Sequence, residues 1–211
     1  MKNEVIFKNP RNYVVFVLVA VFLSTSLFAV LASGAFSGGI FTTDRAGIRV
    51  NQNIFQNSND VYLNGGPNNS TSQGLPPNEV FYFEVTDPSG NVLLSNDAAA
   101  CRQVQTNTEG RVYGVFIDVA GCYHDVGLVD TSNGALPVQI WPFDRTPNSG
   151  GEYKVSLVKK NAPGVSIEPD GKHLDYPQAA AKSDNFKVVN GSLPTPTPTP
   201  SPTPTPTPII D

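Results

Sequence analysis

Two histidines sit near acids, and they are the first candidates for chemistry. His124 is followed by Asp125, and His173 by Asp175 two positions on. With a serine, either pair would supply the base and its orienting acid in a nucleophilic triad. The chain has no G-x-S-x-G elbow and no strand–helix units to mount one. His173 lies in the polar stretch GKHLD, where a solvated imidazole is the ordinary outcome. Glu79 and Glu84 flank one strand, but glycoside hydrolysis needs two acids across a cleft, and Glu84 has the parity of a wet face. Asp118, Asp125, Asp130 and Asp144 gather in the second half without the D-x-D-x-D-G spacing of a calcium loop, so they read as surface turn residues. No catalytic residue, no metal site and no cofactor is expected.

Cys101 and Cys122 are the two cysteines. A zinc site shared with His124 would need four ligands, and the chain has two histidines and no C-x-x-C. In an exported chain an even pair reads as one disulfide.

The remaining chemistry is aromatic. The lone tryptophan, Trp141, lies in WPFDRTP, and Tyr123-His124 follows the second cysteine. If Val138 and Ile140 face inward, Trp141 takes the parity of Gln139 and Phe143, toward solvent. Pro142 can break that alternation, and a lone tryptophan in a sandwich is more often core. Both placements stay open. Exposed, Trp141, Phe143 and Tyr123 form a candidate ligand surface for a glycan or a protein.

The export signal is at the N-terminus. Lys2, Lys8 and Arg11 precede an uncharged run from Tyr13 to Ala35, and the next charge is Asp44. That asymmetry puts the amino end inside and the carboxyl end outside. The apolar core, Val14 to Ala32, is longer than a usual secretory h-region and close to the length of a spanning helix. Residues 1–35 therefore read as a signal peptide or a signal-anchor with its apolar segment at 13–32. The expected location is extracellular or at the cell surface, with the membrane as a partner if the segment is uncut. Net charge is −4 and no basic patch runs through the middle, so nucleic acid is not an expected partner. Sequons at Asn68, Asn69 and Asn190 matter only in a host with that glycosylation.

From about Thr42 to Asn190 the hydrophobic period is two, not 3.6. Strands are expected over 79–85, 111–119, 138–143, 152–158 and 185–189. Weaker ones fit 48–50, 61–63, 92–94 and 104–106. The DPSGN run after Val85 is a hairpin turn, and Glu109-Gly110 and Asn148 to Gly151 are further turns. Residues 57–78 and 161–184 read as polar loops. The expected fold is all-β, an antiparallel two-sheet sandwich with one wet face per sheet. It follows an N-terminal hydrophobic helix and precedes a disordered tail. The division is 36–59 as a linker able to hold a first strand, 60–190 as the sandwich, and 191–211 as a Pro/Thr-rich spacer. From Pro194 to Pro208 proline alternates with threonine or serine, which favours polyproline II and cannot form a core.

Several stretches carry a resemblance as an ordered set: DVYLNGGP at 60–67, YFEVTDPSGNVLLS at 82–95, Cys101-Arg102, VQIWPFDRTPNSGGEYKVSL at 138–157 and SDNFKVV at 183–189. Together they resemble secreted bacterial surface proteins with Ig-like or prealbumin-like β-sandwich modules. The resemblance implies a cell-surface location and an adhesin-like, non-catalytic role. The alternative it leaves is a carbohydrate-binding module or an accessory domain of an extracellular enzyme.

Overall fold

The computed structural model describes residues 36–67, 72–116, 121–129 and 134–189. The expected N-terminal helix, the Pro/Thr tail, the three sequons, Asp118 and Asp130 lie outside the described residues. In chain order the strands are β1 Gly39–Thr43, β2 Ile54–Phe55, β3 Tyr62–Gly66, β4 Val80–Thr86, β5 Gln103–Thr106, β6 Val112–Val115, β7 Val138–Gln139, β8 Glu152–Lys159, β9 Ser166–Ile167, β10 Leu174–Asp175 and β11 Ala181–Val188. They form a six-stranded sheet ordered β2-β11-β8-β4-β5-β6, a three-stranded sheet β1-β3-β7 and a small β9–β10 hairpin. The two larger sheets pack in a sandwich-like arrangement. Every pairing is antiparallel except β2 with β11, which is parallel.

Period-two alternation builds the core. Phe81, Phe83 and Val85 point inward from β4, and Tyr153, Val155 and Leu157 point inward from the neighbouring β8. They meet Leu63, Val138 and Ile140 in one buried cluster. The DPSGN hairpin forms as expected. Asp87 Oδ1 accepts from the backbone of Asn91 and Val92, both at 2.9 Å, and Leu94 N–H returns to the Val85 carbonyl at 2.8 Å. The Glu109-Gly110 turn needs its glycine: φ is +73°, and a Cβ there would run into the Leu75 carbonyl.

Four expectations are corrected. Residues 48–50 are not a strand; they form a bend in which Ile48 is 70% exposed. The first strand is β1, in the stretch read as a linker able to hold one. Its Thr42 is tied to β11 by Asp184, whose Oδ2 accepts from the Thr42 amide at 2.8 Å and its hydroxyl at 3.0 Å. The strand at 138–143 pairs in the sheet only over Val138–Gln139. The chain then passes the cis Trp141–Pro142 bond and returns as a bridge between Phe143 and Ser95. The stretches 57–78 and 161–184 are not simply loop: the first holds β3, and the second holds β9, β10 and the first half of β11.

The fourth correction concerns the wet face. Glu84 is buried, and so are Tyr82 and Ser156 beside it. Residues 161–180 fold back over the outer face of β4 and β8, where Tyr82, Ala99, Val158 and Leu174 make a second apolar cluster. The six-stranded sheet is dry on both faces at its centre.

Residues 36 and 189 lie at opposite ends of β11. Phe36 packs on the Phe81 ring at 5.5 Å, with the Lys182 ammonium 5.5 Å from its own centroid, at the start of that strand. Val189 bonds Phe55 beyond its end. Eight residues of strand separate the two points, roughly 25 Å.

Candidate functional site

Residues 125–127 and 137–139 form a short antiparallel ribbon. Val126 bridges Val138, Gly127 N–H donates to the Pro137 carbonyl at 2.7 Å, and Gln139 N–H donates to the Asp125 carbonyl at 2.9 Å. Two residues along from that bridge His124 and Ile140 are both buried, and three along Tyr123 and Trp141 are both exposed. Burial follows the same alternation. Val138, Ile140 and His124 are buried, whereas Tyr123 is 76% exposed and Trp141 46%. Two large aromatic side chains thus face outward from the segments that flank the ribbon. They do so at the end of the sandwich away from Phe36, because β7 runs past Tyr62 while Gly66 lies beside Gly39.

Phe143 does not join them. Of the two placements left open it takes the buried one, because the turn at Pro142 reverses its parity. It is 6% exposed, with its ring edge-on to Tyr153 at 5.2 Å and to Phe186 at 5.8 Å. It closes the core beneath the aromatic pair.

Polar groups border the pair. Asp125 Oδ2 accepts from Arg45 Nε and from the Tyr62 hydroxyl, both at 2.8 Å. The Arg45 bond, then the Tyr62 bond, hold the Asp125 carboxyl below its ordinary range. Burial, then the Asp125 bond, push Tyr62 up to about 12. Gln139 Nε2 donates to the Asn59 carbonyl at 2.7 Å. Arg45 and Tyr62 also line an open groove of about 440 Å³ with Asp44, Arg49, Gln52 and Asp60. Two arginines and two aspartates leave that groove without net charge.

Beneath the ribbon lies a buried charged network with no counterpart among the sequence-based expectations. Cys101 and Cys122 form the expected disulfide, with Cα atoms 5.1 Å apart. Each cysteine leads into a buried polar residue, Arg102 and His124. Both converge on Asp97: His124 Nε2 lies 2.9 Å from Oδ2, and Arg102 Nε 3.5 Å from Oδ1. Arg102 also donates to the Phe83 carbonyl at 3.1 Å and to the Lys172 carbonyl. Burial pushes Arg102 down, and Asp97, Glu84 and Asp170 oppose it. The His124 ring stands edge-on to Phe83 at 4.9 Å, and its Nδ1 has no hydrogen-bond partner. This histidine is orientated by an acid but is enclosed, so its geometry is that of a structural link. His173 is at the surface, 3.6 Å from Glu168. Asp144 accepts from Asn96 at 3.0 Å. Among the described residues no three His, Cys, Asp or Glu side chains gather as metal ligands.

Glu84 belongs to the same buried region. Burial raises its carboxyl above the ordinary range, and the Tyr176 hydroxyl, donating to Oε1 at 2.8 Å, then Arg102, oppose that rise. Burial, then the Glu84 charge, push Tyr176 to about 12. An acid raised in the folded state binds its proton more tightly there than in the unfolded chain. Its contribution to stability is therefore greatest at low pH and falls as pH rises past the ordinary carboxylate range. Tyr176→Phe removes a donor to the ionised form. The expected loss is about 1.5–3 kcal/mol at neutral pH and clearly less near pH 4, read from urea melts at both pH values. An equal loss at the two pH values would show that the hydroxyl does not serve the carboxylate.

Comparison with known proteins finds no matching family model, curated protein or solved structure.

Proposed function

We propose that this chain is an exported cell-surface protein whose Ig-like or prealbumin-like sandwich has a structural or adhesive, non-catalytic role. The observation that carries the reading is the outward Tyr123–Trp141 pair at the end of the sandwich remote from residue 36. An N-terminal segment that stays in the membrane, or guides the chain across it, would join at Phe36. The aromatic pair would then face away from the membrane. Tryptophan and tyrosine give large contact area for little conformational entropy, which is why they dominate adhesive contacts. The disulfide suits an oxidising compartment outside the cell.

A second reading, a carbohydrate-binding module, is favoured by the polar border of Gln139, Asp125 and Arg45. A flat aromatic ring flanked by hydrogen-bonding side chains suits a sugar face and its hydroxyls. One experiment addresses both. The full chain is tested for retention on intact cells, on purified neutral polysaccharide and on a protein-coated surface. Trp141→Ala and Tyr123→Ala are each expected to weaken retention by about tenfold or more, with the melting temperature unchanged. Retention on polysaccharide alone selects the carbohydrate reading. Unchanged retention in both variants on all three surfaces removes the aromatic pair as the adhesive contact.

A further inference from the structure

The same chain carries a segment chemically matched to the aromatic pair. Pro194 to Pro208 alternates proline with threonine or serine and bears no charge. Polyproline II segments dock on surfaces where exposed tryptophan and tyrosine rings pack against proline rings, and their preformed geometry keeps the ordering cost low. The described chain also ends near Trp141. Val189 follows Phe186 by three residues, Phe186 meets the Phe143 ring at 5.8 Å, and Trp141 precedes Phe143 by two residues. Val188 and Phe143 line one cavity together. The path from Val189 to Trp141 is thus two short pieces of chain and one ring contact. As polyproline II, Pro194 to Pro208 reaches roughly 45 Å, well beyond that path. The bordering polar groups, Gln139, Asp125 and Arg45, are already engaged with the fold, so an uncharged occupant meets no unanswered charge.

From these observations we propose that the Thr-Pro segment docks on Tyr123 and Trp141 of its own chain. This rests on the reading of the pair as a contact surface, and it names that surface's resident occupant. An external partner must displace the segment. Display then depends on competition between the chain's own prolines and the external partner.

Trp141 is the single tryptophan, so its fluorescence reports on this site alone. The test is acrylamide quenching of the full chain held in detergent, against a full-length variant with every proline from Pro194 to Pro208 changed to serine. Quenching is expected to rise about twofold in the serine variant, because a tether giving millimolar effective concentration keeps even weak docking largely closed. A synthetic peptide spanning Ser192 to Pro208 should restore the protection saturably. Tyr123→Ala in the otherwise unchanged chain should abolish it. Protection independent of protein concentration supports docking within one chain; protection that appears only as concentration rises means docking on a second copy and overturns the proposal. Equal quenching in the unchanged chain and the serine variant overturns it as well. That result leaves the retention experiment to judge the surface itself, so the two failures are distinct.

Discussion

Replacing Arg102 by methionine is expected to destabilise the sandwich by about 3–5 kcal/mol, the range for removing one partner of a buried charge pair. The side chain is fully buried and spans three parts of the fold. It donates to the Phe83 carbonyl in β4 and the Lys172 carbonyl in the covering segment, and it lies beside the Asp97 carboxylate. Methionine fills much of the volume but leaves both carbonyls without that donor. Glu84 is also buried, and Arg102 is among the charges that oppose the rise in its pKa. Two carboxyl groups are then left in low dielectric with less compensation. The Glu84 carboxyl should rise further, so the loss should be smaller at low pH. Arg102→Lys keeps the charge but not the planar fork, and should recover only part of the stability. Thermal and urea melts check this, with a drop of roughly 10 °C expected for methionine. A change under about 1 kcal/mol would mean that water reaches the network and that the ion pair is a surface feature.

Removing the disulfide should cost about 3 kcal/mol. Cys101 and Cys122 are 21 residues apart, and a loop of that size loses roughly this much conformational freedom when closed. The bond also has a local consequence. It ties the chain just before Arg102 to the chain just before Tyr123 and His124. Paired Cys101→Ser and Cys122→Ser substitutions should therefore couple to Arg102→Met. Once the staple is gone, the second change should cost less than it does alone, by about 0.5–3 kcal/mol. The four melts of that cycle are the measurement. Strict additivity would show that the disulfide acts only on the unfolded chain and does not hold the network in place. Loss of the staple should also raise acrylamide quenching of Trp141, since the ribbon beside it would loosen.

Some of these features are legible in the amino-acid sequence. The β4 and β8 strands follow from strict alternation, as in EVFYFEV and EYKVSLV, and the turn after Val85 follows from DPSGN. Two cysteines leave one pairing, and the bond formed. The departures have a common origin. Glu84 looks solvated because alternation tells only which residues share a face, not what lies over that face. Its cover comes from Leu174 and Tyr176, some ninety residues away. Arg102 has no local signal at all, since nothing in a short window distinguishes a buried arginine from an exposed one. Phe143 faces the core rather than solvent because Pro142 interrupts the alternation that Val138 and Ile140 begin.

Local pattern is enough to read the class of fold, the hairpin after Val85, the disulfide and the chemistry of the Thr-Pro segment. Each depends on neighbours in the chain: side-chain period, turn residues, a single pair of thiols and a repeating proline. Folding alone leaves Tyr123 and Trp141 exposed, turns Phe143 into the core and dries both faces of the central strands. Those outcomes depend on register between distant segments and on which of them covers the sheet, and no local pattern encodes either.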